Sequence, residues 1–232
     1  MVRTLVVLLC LGLPAAAQPD GKPVKKPTAP VLLPSTDGES FQIMAPADGL
    51  SLEDFLGVWS EATGQRFSWR HQEFRGRGNV IFSGLVPVRK EELDFLFQGI
   101  LVTQGFALIP TGPPSSQLYK VESFESSRIL KQRAPFVSRD KIQSLKEQPA
   151  RVYMTSFALD QVDVQSVRSA VQQLVTNRAA EHIAEIRDSN TIVAVAFGPT
   201  LAAIDDLLKS VDRALPKKIQ ADREAEKKRR GK

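Results

Sequence analysis

The residue types that carry most enzyme chemistry are thin in this chain. It has two histidines, His71 and His182, and one cysteine, Cys10. A zinc site needs several such ligands held together, and the two histidines are not at metal spacing. Serines are frequent, but none stands in Gly-x-Ser-x-Gly, and no Ser-His-Asp set assembles. Glu91 and Glu92 are adjacent rather than facing, which suits a helix N-terminus better than acid/base work. Asp205 and Asp206 read likewise as a solvated helix face. Gly76-Arg77-Gly78 lacks the further glycines and the strand-to-helix setting of a phosphate loop. The expectation is a non-enzyme with no catalytic residues, no cofactor and no metal. One cluster admits a different chemistry. Arg66, Arg70, Arg75 and Arg77 surround Phe67, Trp69 and Phe74. Rings and cations interleaved on a sheet can stack on and neutralise nucleic acid. The plainer reading puts the rings in a core and the charges in solvent. An exported protein rarely meets nucleic acid, so no nucleic-acid partner is expected.

Export is read from the first residues. Residues 1–17 hold one charge, Arg3, then an apolar run, then Ala15-Ala16-Ala17. That is the layout of a secretory signal peptide, with cleavage expected after Ala17. The run is too short for a membrane-spanning helix, which needs about 20 residues. Leu9 precedes Cys10 where a lipidation signal wants a small residue, so Cys10 reads as part of the apolar run. The expected location is the periplasm or cell envelope. The exported chain would have no cysteine, and its stability would come from its cores. Residues 18–36 form a Pro-rich linker that cannot bury enough apolar surface to offset chain entropy. Residues 216–232 are a Lys/Arg-rich tail. Together with a net charge of +5, the tail gives a general attraction to acidic surfaces, and any membrane contact would be peripheral.

The elements between linker and tail divide into two modules, residues 37–124 and 149–215, joined by a polar connector over 125–148. In the first, Phe41 and Ile43 alternate on a strand. Ser51 with Asp54 resembles a capping box for a helix carrying Leu52, Phe55, Leu56, Trp59 and Ala62. Strands are expected over 67–69 and 79–83. Leu93, Leu96, Phe97, Ile100 and Leu101 mark a second helix by their core-face spacing. Two strands then flank a loop over 112–116. In the connector, Ile142 and Leu145 pin a short helix to a neighbour. In the second module a strand follows Arg151. Asp163 leads a helix with Val164, Val167 and Val171 on one stripe. Residues 181–187 and 191–197 form a hairpin around Asp188-Ser189-Asn190. Gly198-Pro199 then opens a helix, with Pro tolerated in the first turn. That helix buries Leu201, Ile204, Leu207 and Leu208. Leu96 and Leu207 stand at the centres of their stripes. The fold class is α+β, with βαββα cores that each pack two helices on one face of a three-stranded or larger sheet. Two complete sets of apolar faces predict modules that fold independently.

Three stretches carry a resemblance: "RVYMTSFALDQVDVQSVRSAVQQLV", "AEIRDSNTIVAVAFGPTLAAIDDLLKSVD" and the region "ATGQRFSW…GNVIFSG…LFQGILVTQGFALIP". They resemble the repeated periplasmic N-domains of bacterial secretins of type II and type III secretion and type IV pilus systems. Arg187-Asp188-Ser189-Asn190-Thr191-Ile192-Val193 is similar to that family's turn-and-strand pattern, with its order slightly altered. The likeness covers about two thirds of the chain. A long amphipathic β region of the pore-forming kind is not seen. The resemblance implies a non-enzymatic envelope protein acting in assembly or partner docking of a secretion or pilus machine. Its partners would be proteins of that apparatus, and it would form a homo-oligomer or ring. A periplasmic signalling or receptor module, or an envelope protein that binds anionic surfaces, is the alternative. The interface is placed at the second hairpin, on Glu181, Glu185, Arg187, Asn190, Thr191 and Val193. Charges at alternate positions let a sheet edge resist random pairing while admitting a chosen partner.

Overall fold

The computed structural model describes residues 31–34, 40–44, 46, 48–82 and 86–213. The expected signal peptide and basic tail lie outside them, as does most of the Pro-rich linker. The first module opens with strands β1 (Val31–Pro34) and β2 (Ser40–Met44), then helix α1 (Leu52–Thr63). Ser51 Oγ accepts the Asp54 N–H at 3.1 Å, and Gly64 ends the helix at φ 74°, so both caps form as the sequence indicates. Strand β3 (Arg66–Ser68), a short helix α2 (His71–Phe74) and strand β4 (Val86–Arg89) follow. Helix α3 (Leu93–Thr103) leads into β5 (Phe106–Pro110) and β6 (Leu118–Ser123).

The first module differs from its expected outline in three ways. Its strands divide between two sheets, ordered β1-β2-β4 and β3-β6-β5. Residues 31–34, expected in the linker, pair antiparallel with β2. Of the strand expected over 79–83, the described residues 79–82 form one bridge, Val80 with Leu50, and the next strand is β4. Gly49, at φ 80°, allows that bridge, because a Cβ there would meet Val80 O at 2.7 Å. The core beneath is aromatic. Phe55 meets Phe97 edge-on at 5.3 Å, and Trp59 lies 4.6 Å from Phe67.

The connector is folded and held by a few buried side chains. Helix α4 (Ser127–Arg133) buries Leu130, and the 3-10 helix Arg139–Leu145 buries Ile142 and Leu145, the two residues expected to pin it. The second module adds β7 (Val152–Ala158), α5 (Val164–Gln173), β8 (His182–Ile186), β9 (Thr191–Phe197) and α6 (Gly198–Val211). Its sheet is antiparallel in the order β7-β9-β8, which makes β9 the central strand. Helices α5 and α6 cover one face of it, over Tyr153, Phe157, Ile192, Ala194 and Ala196.

The two modules share a wall. Ala107 and Ile109 of β5 pack with Leu130 and Ala134 of the connector and with Val152, Val195 and Phe197 of the second sheet. Leu108 N donates to Ala150 O at 2.7 Å, and Leu108 bridges Arg151 in parallel. Asp94 sits at this joint. Its Oδ1 accepts from Trp59 Nε1 (3.0 Å) and Gln65 Nε2 (2.7 Å), and its Oδ2 from Gln98 Nε2 (2.8 Å) and Arg151 Nη2 (3.1 Å). The Arg151 guanidinium also lies over the Tyr119 ring at 4.4 Å. Further along, the connector crowds the start of α6. A Cβ on Gly198 would lie 2.0 Å from Leu145 O.

The expected helix stripes are buried, but their centres are not where the sequence placed them. Leu101 and Leu208 are fully buried, whereas Leu96 and Leu207 are only partly buried at the rims of their clusters. Leu101→Ala and Leu208→Ala are therefore expected to destabilise by about 2–5 kcal/mol each, and Leu96→Ala and Leu207→Ala by less. Urea denaturation of the four variants checks the order. Equal losses at all four positions would mean that the helix faces are misassigned.

Asp205 corrects a second expectation. It is fully buried rather than solvated, because the connector packs onto α6. Its carboxylate takes Arg139 Nε at 2.9 Å, Gln143 Nε2 at 3.1 Å and Lys209 Nζ at 2.6 Å, while Asp206 stays exposed. Burial raises the Asp205 pKa, but hydrogen bonds from Lys209, Arg139 and Gln143 outweigh it and hold the group below its ordinary 3.8. Asp212 is also held low. Burial raises it, and the Gln161, Asp160 and Val162 N–H groups more than offset that. A carboxylate lowered in the folded state adds stability above its ordinary pKa, and that stability is lost as pH falls through the folded value. The Tm should therefore drop steeply once pH falls below about 4. The gap between the parent protein and Asp212→Asn should be largest at pH 7 and shrink below pH 4. A constant gap across that range would sink the assignment.

Candidate interface of the second module

The six residues picked from the sequence meet around the hairpin, but they do different jobs. Glu181 is not on the exposed edge. It is 2% exposed, and its Oε2 accepts from Thr176 N and Asn177 N at 2.8 Å and from Thr176 Oγ1 at 3.2 Å. Its Oε1 takes Phe197 N at 3.3 Å. Glu181 therefore closes the turn after α5 and ties it to the end of β9, which withdraws it from any contact surface. Alternation put it in line with Glu185 and Arg187, but the strand begins one residue later, at His182.

Asn190 is also structural. It holds φ 47°, in the left-handed region where a short polar side chain is tolerated. Its Oδ1 accepts Val164 N at 2.9 Å, and its Nδ2 donates to Leu159 O at 2.6 Å and Val162 O at 3.0 Å. The hairpin turn is thereby fastened to the start of α5. Asn190→Ala loses these bonds and keeps the strained backbone, so a loss of about 2–3 kcal/mol is expected. Asn190→Gly relieves the backbone and should lose less. A glycine variant no more stable than the alanine variant would refute the strain component.

Glu185 and Arg187 remain on the surface side. Glu185 Oε1 pairs with Arg168 Nη1 and Arg187 Nη2, both at 3.1 Å, and Glu185 Oε2 is buried without a hydrogen-bond partner. Val164, Arg168, Gln172, His182, Ile183 and Glu185 line a cleft of about 250 Å³ between α5 and β8. Thr191 and Val193 are half-buried on the central strand, so they contribute to a sheet face and not to an edge. The free edge is β8. Sequence reasoning missed its exposed Ile186, at 48%, and it missed Phe136, at 60%. Within the connector Ala134 points in and Phe136 out.

The other chemical candidates settle into structural roles. His71 Nδ1 meets Glu53 Oε1 at 2.7 Å on the surface, and His182 opens β8. Among the described residues no group of His, Cys, Asp and Glu is placed to hold a metal. In the basic cluster, Arg70 pairs with Glu73 and Glu122, and Arg77 with Glu125 at 2.7 Å. Phe74 is buried, and Trp69 stacks on it while remaining 37% exposed. No helix among the described residues is long and apolar enough to cross a membrane.

No protein-family model and no curated protein sequence matches the chain. Solved structures do. A chain of the Klebsiella pneumoniae type II secretion system outer membrane complex, which contains PulD, PulS and the PulC HR domain, aligns with a TM-score of 0.55 at 17% identity. The alignment covers 72% of this chain and 26% of that one, so this chain spans about a quarter of its length. The N-terminal domain of the secretin XcpQ from Pseudomonas aeruginosa aligns at 16% identity over 80% of this chain and 69% of that one, with a TM-score of 0.29. The GspC-GspD complex of the enterotoxigenic Escherichia coli type II secretion system aligns at 12% identity, over 75% and 99%, with a TM-score of 0.28. The first match shows a shared fold. The chain therefore has an α+β fold like that of part of the Klebsiella complex.

Proposed function

We propose that this chain is a non-enzymatic, exported protein of the cell envelope that docks partners in a protein secretion or pilus machine. The observation that carries the reading is the bare β8 edge of the second module beside a partly uncovered sheet face. A sheet edge offers unpaired backbone groups to another chain. The pair Glu185 and Arg187 lies at the end of that edge. The fold shared with the Klebsiella complex supports the setting. Docking here would be to proteins of the apparatus or to further copies of the chain, since head-to-tail contacts between copies close into rings when the rotation allows. Charge reversal at Glu185 and Arg187 tests the interface. It should abolish binding to a purified partner of the apparatus, or self-association in sedimentation, with the circular dichroism unchanged. Unaltered association with an intact fold would place the interface elsewhere.

A further inference from the structure

The second sheet carries α5 and α6 on one face, and its other face is half covered. Val152 and Met154 of β7 and Val195 and Phe197 of β9 lie under Leu130 and Ala134 of α4 and its surroundings. Two rows further along remain open. One is Ser156, Val193 and Ala184, and the other is Ala158, Thr191 and Ile186, as the pairing register sets them out. Phe136 pairs with Met154 along the outer side of β7, which places its ring on this same face. Ile186 and Phe136 therefore stand at opposite corners of an open, mostly apolar patch with small side chains between them. That makes a shallow trough rather than a protruding tip.

Where α4 lies, the border of the trough is basic. Helix α4 presents Arg128, Lys131 and Arg133, and it runs directly into residues 135–137, which hydrogen-bond to Met154. None of these three cations has an acidic partner among the described residues. Glu125, the nearest acid before the helix, is taken by Arg77.

We infer that this trough receives an amphipathic helix from a partner protein, with its apolar face on Phe136, Val193 and Ile186 and its acidic flank along α4. The dimensions suit it. At about 4.8 Å between strands and about 3.3 Å per residue, the two corners lie about 19 Å apart. A helix of about 12–13 residues spans that distance at 1.5 Å per residue. A sheet that packs helices on one face accepts another on the second face by the same layering. An anionic membrane offers the same charge but requires apolar groups that protrude, whereas Val193 is half-buried at the floor. The inference deepens the docking reading by naming the form of the partner, and it rests on that reading.

The test uses the whole protein and two designed 18-residue helical peptides with the same Leu stripe, one flanked by Glu and one by Lys. Fluorescence anisotropy should show the Glu peptide binding at least tenfold tighter than the Lys peptide. Phe136→Glu or Ile186→Glu, both at exposed positions, should weaken it at least tenfold with the Tm unchanged. Reversing Arg128, Lys131 and Arg133 to Glu should invert the preference. Equal binding of the two peptides, or indifference to the Phe136 and Ile186 changes, overturns the inference. So does Phe136-dependent sedimentation with phosphatidylglycerol vesicles in the absence of peptide binding. If the peptides fail while charge reversal at Glu185 and Arg187 still abolishes partner association, the helix inference falls and the docking reading stands. If both fail, both fall.

Discussion

Replacing Gly198 with alanine is expected to lower the melting temperature by about 6–12 °C. Gly198 is the first residue of α6, and its N–H donates to Arg151 O at 3.2 Å. The Cβ of an alanine would lie 2.0 Å from Leu145 O and 3.0 Å from Gln148 O. Both are backbone atoms at the end of the connector, so no rotamer change relieves the clash. Either α6 lifts from the sheet or the 3-10 helix Arg139–Leu145 shifts, and Asp205 loses its grip on Arg139 and Gln143 in both cases. Overpacking a close contact costs about 1–3 kcal/mol or more, and a loss of about 3 kcal/mol gives the stated shift for a chain of this size. Calorimetry on Gly198→Ala decides. A shift under about 2 °C would mean that the connector does not press on α6.

Truncating Arg151 to alanine is expected to cost about 3 kcal/mol, the low end for stripping one partner from a buried ion pair. The low end applies because 30% of the Asp94 side chain remains exposed. Arg151→Lys should recover little, since an ammonium cannot reach Asp94 and stack on Tyr119 with the same planar group. With the apolar wall and this ion pair between them, the two modules are expected to unfold as one cooperative unit. The parent protein should melt in a single transition, and Arg151→Ala should broaden or split it. Proteases should cut slowly between residues 125 and 149, where Leu130 and Ile142 are buried. Two separate transitions in the parent protein would sink the coupling.

What the sequence made legible was local. The Ser51 and Asp163 caps, the apolar stripes of α1 and α5, the turn after Arg187 and the pinning residues Ile142 and Leu145 are encoded within a few neighbours. What it hid depends on distant partners. Glu181 looks like any strand-edge acid until the β9 terminus comes to meet it. Asp205 looks solvated until the connector, more than sixty residues earlier, covers it. Arg151 meets Asp94 and Gln65 across 57 and 86 residues. No periodicity records such separations. The hairpin of the candidate interface was legible, because turn chemistry and β-forming residues marked it. Which side chains face outward was not, since β9 turned out to be the middle strand and β8 the edge.

The joint at Ala150 and Arg151 has a geometric meaning. Ala150 is bonded through its N–H to Gln98 and through its carbonyl to Leu108, and β7 starts within two residues of it. No slack separates the last contact of one half from the first strand of the other. Two neighbours that grip opposite ends of such a molecule are held at one separation and one rotation. Under the proposed docking role the chain would act as a gauge, passing on an angle as well as an attachment, with Asp94 and Arg151 setting its calibration.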